Sequence, residues 1–310
     1  MRLVKRSSTP FALLSALLVL CGCATQTAVR PVLNGAQIES GITFEEEQRL
    51  QDLCLFGVPL RDDETAGDTL MIVREGYALE LSVDDKIPLW VCEHVRKNHI
   101  RGDAERKNNF KADPDLDPGV GAELPDYKGS GFDRGHQAPA ADFKYSQKRT
   151  DESFYLSNMC PQVGEGFNRD IWRVLEDRAR DIVEDGGDAY IITGPIFYDP
   201  KEENSETADG WISYKVIGKN RVAVPTHFYK IVVAKDDAGQ WRAIAFVLDN
   251  KRYPKQADRA YDFQRYIESI DLIEVRTGLN FMPDLDVDEP ELEVVLEKEE
   301  SAVWPEFASQ

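Results

Sequence analysis

The sequence predicts a mixed α+β domain with a mainly antiparallel sheet. Three observations carry that reading: recurring β-branched and apolar runs, one strongly periodic helical stretch, and long polar connections between them. Residues 44–53 read as a short helix. Residues 69–80 and 89–95 read as strands, with Asp84 and Asp85 in the turn between them. Residues 97–125 are long, polar and rich in Asp, Pro and Gly, and a connection of that length in a compact domain is either disordered or functional. The clearest helix spans 168–183. There Ile171, Val174, Leu175, Ala179, Ile182 and Val183 recur at three and four, and Gly186 with Gly187 ends the stripe. Residues 189–193, 227–234 and 241–247 read as strands, with a turn at 236–239 joining the last two. At 310 residues the chain can bury one substantial core, and its apolar content is that of a folded globular protein. No internal repeat is present.

The first residues differ from the rest. Arg2, Lys5 and Arg6 make a basic start, and residues 11–20 form an apolar run too short to span a bilayer comfortably, which reads as a signal-peptide core. The run ends in Leu20-Cys21-Gly22-Cys23, which resembles a bacterial lipoprotein box with Cys23 as the lipidated first mature residue. The expected organisation is a lipoprotein-type signal peptide at 1–22, a flexible tether at 23–43, a catalytic domain at 44–283 and an acidic tail at 284–310. Such a box implies a bacterial cell envelope location, facing the periplasm or the outside, and Ala24 favours the outer membrane. With Cys23 lipidated, Cys54, Cys92 and Cys160 remain, an odd number, and Cys54 with Cys92 is the first pair to test for a disulfide. The four histidines are not arranged with cysteines as a zinc site requires.

The formal net charge of -19 argues against a polyanion-binding protein. Much of the excess is local, however, because residues 284–300 hold nine acids against Lys298 alone, a pattern usual for a solvated tail. Residues 96–111 are the reverse: Arg96, Lys97, Arg101, Arg106, Lys107 and Lys111 oppose only Asp103 and Glu105.

Asp133-Arg134-Gly135-His136 is followed within forty-odd residues by Asn158, Asn168 and Glu176. Hydrolysing a phosphodiester requires a base for the water and positive charge at the phosphoryl and leaving oxygens. Histidine titrates near neutrality and suits the first task, which makes His136 the candidate base. In an extended segment Arg134 shares its direction and offers phosphate a permanently charged fork. Magnesium prefers oxygen donors, so Asn168 at the helix start is a reasonable ligand. Glu176 stands about 80° around the helix from it, where it can hold metal-bound water or orient Arg180 at i, i+4. Singly, each residue has a plainer role: Asn168 as an N-cap, Asn158 as a turn amide, Glu176 and Arg180 as a surface ion pair. His94, His99, His227 and Trp172 have structural readings, Trp172 as core packing.

Their order and spacing carry a resemblance. The segments Gly131-Phe-Asp-Arg-Gly-His-Gln-Ala-Pro-Ala140, Phe154-Tyr-Leu-Ser-Asn-Met-Cys-Pro-Gln162 and Phe167-Asn-Arg-Asp-Ile-Trp-Arg-Val-Leu-Glu176 resemble the DNA/RNA non-specific endonuclease family. Gly194-Pro-Ile-Phe197 and the segment from Tyr214 to Phe228 are similar to its endonuclease G branch. The resemblance implies a ββα-metal catalytic core and magnesium-dependent, sequence-non-specific cleavage of DNA and RNA to 5′-phosphate products. It also implies Mg2+ as cofactor with Mn2+ as substitute, and no small-molecule cofactor. Carried over by motif, His136 is the general base, Asn168 the direct metal ligand and Glu176 a ligand through water. Arg134 and Arg180 stabilise charge at the phosphate, and Asn158 positions His136 or the substrate. Asp133 is supporting, and Gln162 joins Arg134 among the substrate-binding positions. Where secreted members carry an arginine shortly before a loop aromatic, the position beside Phe110 is Asn108, so Arg106 or Lys107 takes over that phosphate contact. The expected partners are DNA and RNA, the membrane through the N-terminal lipid, and a second copy of the chain in a homodimer. Two other readings stand beside this one: a phosphodiesterase of the same fold with another substrate, and a non-catalytic lipoprotein binding module.

Overall fold

A computed structural model of the chain describes residues 2–5, 42–61, 67–185, 187–203, 206–298 and 302–308. The lipoprotein-like box and nearly all of the expected tether fall outside the described residues.

The frame is one seven-stranded antiparallel sheet. In chain order its strands are β1 (Thr69–Val73), β2 (Tyr77–Ser82), β3 (Pro88–Val95), β6 (Ala189–Ile196), β7 (His227–Lys235), β8 (Trp241–Asp249) and β9 (Ile267–Glu268). They lie side by side in the order β9-β8-β7-β6-β3-β2-β1, every pair antiparallel. The two numbers left out belong to a separate hairpin, β4 (Phe132–His136) and β5 (Met159–Val163), which carries the site. A further strand at Trp211–Ile217 pairs with Val222–Val224 on one side and with Arg2–Lys5 on the other.

Both faces of the sheet are covered, which explains why its central strands are buried almost throughout. Helix α1 (Phe44–Leu53) starts in a Thr43/Glu46 capping box and lays Leu50 and Leu53 on one face, among Trp90, Ile192, Ile231 and Ala245. Helix α3 (Ile270–Thr277) packs on the same face through Ile270 and Ile273 and ends at the left-handed Gly278. On the other face lies helix α2 (Arg173–Glu184), whose Val174, Leu175, Ala179, Ile182 and Val183 meet Ile191, Phe228, Val232 and Phe246. Cys54 and Cys92 are neighbours in the core under α1, but both are free thiols, as is Cys160.

Two expectations need correction. Residues 69–80 are two strands, because Arg74 to Tyr77 turn the chain back: the Arg74 amide donates to the Tyr77 carbonyl at 2.8 Å, and the Phe143 ring fills the space where a Cβ on Gly76 would stand. The acidic stretch 284–310 is not a solvated tail. Leu285 and Leu296 are buried on the α1 face, whereas Trp304 and Phe307 are buried on the α2 face, so the segment wraps from one face to the other. Phe307 stacks at 4.7 Å from Phe246, and the Arg242 guanidinium lies 3.9 Å over Trp304 while donating to Glu306 at 3.1 Å. Some acids of this apolar strap, such as Glu289 and Glu291, are exposed while Glu297 is buried, so charge alone misleads.

Truncating a fully buried phenylalanine costs about 3–5 kcal/mol. Urea unfolding of Phe307→Ala should show a loss of that order, and wild-type stability would contradict the packing of the strap.

Candidate active site

The hairpin β4–β5 is kept tight by a missing side chain. Gly135 faces Cys160 in the register, and a Cβ there would stand 2.0 Å from Gln162 Oε1. Gln162 itself is fully buried against that glycine, with neither of its amide atoms hydrogen-bonded. Alternation along β4 sends Asp133 to one side and Arg134 and His136 to the other.

His136 is 7 % exposed and sits between two rings, edge-on to Phe154 at 4.9 Å and tilted to Phe110 at 5.5 Å. Burial, helped by the Arg106 and Arg134 guanidiniums, pulls its pKa down to about 3, so the ring is neutral across the physiological range. Arg134 stacks 4.1 Å over Phe110, and Arg106 lies 5.2 Å over Phe154. The long loop is thus sewn onto the hairpin. The Lys111 amide donates to the Phe154 carbonyl, and the Leu156 amide donates back to the Lys111 carbonyl at 2.9 Å. Asp113 accepts from Arg74 and Ser157, each at 2.5 Å, and Glu105 exchanges two hydrogen bonds with the Gln147 side chain. Of the two loop residues competing for phosphate, Arg106 is the one brought to the site. Asn108, left-handed at φ 49°, accepts from Arg106 Nε at 3.0 Å and steadies it, while Lys107 is left exposed beside it.

Asn158 is fully buried and its amide is fully occupied. Its Oδ1 accepts from the Ala138 amide at 2.9 Å, and its Nδ2 donates to the carbonyls of Ala138 and Ser153 at 2.8 and 2.9 Å. It clamps the chain leaving His136, in keeping with the expectation that it positions His136.

Asn168 does not cap a regular helix. It lies in a wide-turn segment, Gly164–Trp172, that runs into α2, with Gly166 at φ 86° pressed against the Tyr253 backbone. The Asn168 Nδ2 donates to Asp133 Oδ2 at 2.9 Å, and Arg169 Nε donates to the same oxygen at 2.7 Å. Burial works against the Asp133 carboxylate, but these donors outweigh it and lower its pKa. With its nitrogen committed, Asn168 is left its Oδ1 as the atom to offer a cation.

Glu176 is half-buried on α2, and burial raises its pKa against the pull of Lys230, Arg180 and Arg106. The Arg106 charge lowers the His136 pKa and also opposes the rise at Glu176. Arg180 departs from the i, i+4 expectation. Its guanidinium donates to Asp142 at 2.7 Å and to Asp177, not to Glu176, because the Asp142 carboxylate, itself 2 % exposed, needs a buried counter-charge.

Beneath these residues lies a buried charge cluster that the sequence reading missed: Glu93, Asp142 and Lys230. Burial lowers the Lys230 pKa against the opposing pull of Glu176, Glu93 and Asp142, and burial raises that of Glu93. The available signal was a charge interrupting an apolar strand, at Glu93 in β3 and at Lys230 in β7.

A β-hairpin packed against a helix, presenting a neutral histidine, an outward carboxamide oxygen and paired arginines, defines a nuclease of the ββα-metal class. Residues 61–288 match the family described as DNA/RNA non-specific endonuclease, and the chain belongs to that family. It is 39% identical over 215 residues to human mitochondrial endonuclease G, covering 68% of this chain and 69% of that protein. It is 37% identical over 229 residues to nuclease C1 of Cunninghamella echinulata var. echinulata, covering 73% and 87%. A structure of the EndoG/EndoGI complex, described as showing the mechanism of EndoG inhibition, superimposes with a TM-score of 0.66 at 31% identity, covering 79% of this chain and 94% of that one. The protein is a hydrolase of the non-specific endonuclease type, nearest in kind to the endonuclease G branch. The same relatives overturn the bacterial envelope placement, because those from human, Bos taurus, Schizosaccharomyces pombe and Saccharomyces cerevisiae are mitochondrial by name. Among the described residues no helix is long and apolar enough to cross a membrane.

His136 supplies a check of the buried ring. Its folded pKa lies below the ordinary 6.5, so the unfolded chain binds the proton more tightly, and stability is lost as pH falls from about 6.5 toward 3. Unfolding midpoints measured across that window should fall less steeply for His136→Asn than for the wild type.

Proposed function

We propose that this chain is a magnesium-dependent endonuclease that cuts DNA and RNA without sequence preference and leaves 5′-phosphate ends. The observation that carries the reading is the neutral, ring-clamped His136 set beside Arg106 and Arg134, with Glu176 in reach of the same Arg106 charge. The donor set suits magnesium: an amide oxygen fixed by the Asn168 to Asp133 bond, and a nearby carboxylate at Glu176. When bound, the cation supplies Lewis-acid stabilisation of charge on the phosphoryl and leaving oxygens.

The protein's own groups do the remainder. The neutral imidazole of His136 takes a proton from the attacking water as the new P–O bond forms, and its burial between Phe110 and Phe154 holds the ring in one orientation. The bond from phosphorus to the 3′ oxygen then breaks, and the alkoxide takes its proton from water. Arg106 and Arg134, stacked on aromatic faces, meet the phosphate with their donors already oriented. Little sequence preference follows, because phosphate contacts position a nucleic acid without reading its bases.

Incubating the protein with plasmid and with RNA, with and without Mg2+, should give cleavage of both only with the cation. Removing a general base lowers the rate by about 10²–10⁴, the effect expected of His136→Ala in a folded variant. Failure to cleave in any divalent cation would sink the proposal. Cleavage should also weaken as salt rises, and Arg106→Ala should flatten that dependence by about one counterion while Lys107→Ala leaves it close to wild type. Equal slopes for the two variants would remove Arg106 from the phosphate contact.

A further inference from the structure

Lys230 is a lysine with 1 % exposure in the middle of a β-sheet. On β7 it faces Thr193 of β6 in the register, and its Nζ donates to Thr193 Oγ1 at 2.6 Å. Val91 of β3 faces Thr193 from the other side, so Glu93, two residues along, lies on the same sheet face diagonal to Thr193. Glu93 is 1 % exposed, and neither of its carboxylate oxygens has a hydrogen-bond partner. That face is the one α2 covers. The Lys230 Nζ lies 5.4 Å over the Trp172 ring, and Trp172 precedes Glu176 by four residues, one turn below it on the same side of the helix. Sheet and helix therefore enclose an ammonium under Glu176, with Asp142 and Arg180 completing the surround.

Such a group is costly to bury and does nothing for packing that a methionine would not do. We propose that Lys230 is a positioning residue for the reaction: its ammonium, held on Thr193 over the Trp172 turn, anchors the Glu176 carboxylate at the floor of the cleft, with Glu93 beside it on the same sheet face. The inference rests on the nuclease reading above and adds to it a residue that makes no contact with substrate. Lys230 is fixed by the sheet while Glu176 rides on α2, so the ammonium acts across the sheet–helix boundary.

Lys230→Met alone leaves the buried Thr193 hydroxyl and the Glu93 carboxyl beside it without the ammonium and risks misfolding. The informative variant is Lys230→Met with Glu93→Gln, which removes both titratable groups and keeps the volume. Its kcat should fall about 30-fold with KM within about threefold of wild type, the pattern of an interaction lost from the chemical step. A residue acting through another shows no second penalty once that other is gone, so the same pair placed in a Glu176→Gln background should lower kcat by less than about twofold. Glu93→Gln alone leaves the ammonium on Thr193 and should keep kcat within about threefold. Equal losses in both backgrounds, an unchanged kcat, or a loss for Glu93→Gln as large as for the pair would overturn the proposal. A wild-type chain that cleaves neither DNA nor RNA would overturn the nuclease reading and this inference with it, whereas a cleaving chain with additive losses overturns the inference alone.

Discussion

The Asp133 carboxylate ties the two halves of the site together. It projects from the hairpin and accepts hydrogen bonds from Asn168 and Arg169 at the entry to the helix. Its position is itself fixed, since a Cβ on Gly164 would stand 2.9 Å from either of its oxygens. Because a carboxylate accepts and never donates, it also decides which end of the Asn168 amide turns inward. The identity of the outward atom, an oxygen, is thus set one residue removed from the cleft. The positive charge on Arg169 stabilises the tie and, with the Asn168 donor, lowers the Asp133 pKa against the effect of burial.

Much of this was legible in the sequence, and what was not has physical reasons. The helix stripe from Ile171 to Val183 declared itself because burial against a sheet imposes a 3.6-residue period, and the segment Asp133 to His136 because its chemistry is unusual in composition. The turn at Arg74 to Gly76 was invisible, since the apolar pattern continues on both sides and only the Phe143 ring, supplied from far along the chain, makes Gly76 obligatory there. Arg180 was given the wrong partner for a related reason: local spacing offers Glu176, but the buried Asp142 lies 38 residues away and competes successfully. The strap was missed because formal charge is counted evenly along a sequence. Burial is not, and four apolar residues decide where the segment lies although most of its neighbours are acids.

The site is also unusually dependent on its aromatic surround. Phe110 and Phe154 enclose His136 and at the same time carry Arg134 and Arg106 on their outer faces. One pair of rings thereby keeps the proposed base uncharged and the proposed phosphate contacts pre-arranged, two requirements that support each other electrostatically because both guanidiniums disfavour the charged form of the histidine. The bonds that sew residues 104–116 to the hairpin and its flanks hold that arrangement in place without any regular secondary structure.

The acidic balance of the chain has a bearing on how such an enzyme would handle a polymer. A net charge of -19 repels nucleic acid at a distance, but at physiological salt that field dies away within about 8 Å, leaving the basic loop to act only at contact. On the proposed nuclease reading, capture would be a short-range event and the body of the protein would repel a cut end leaving the cleft. The surface charge favours release and turnover over residence.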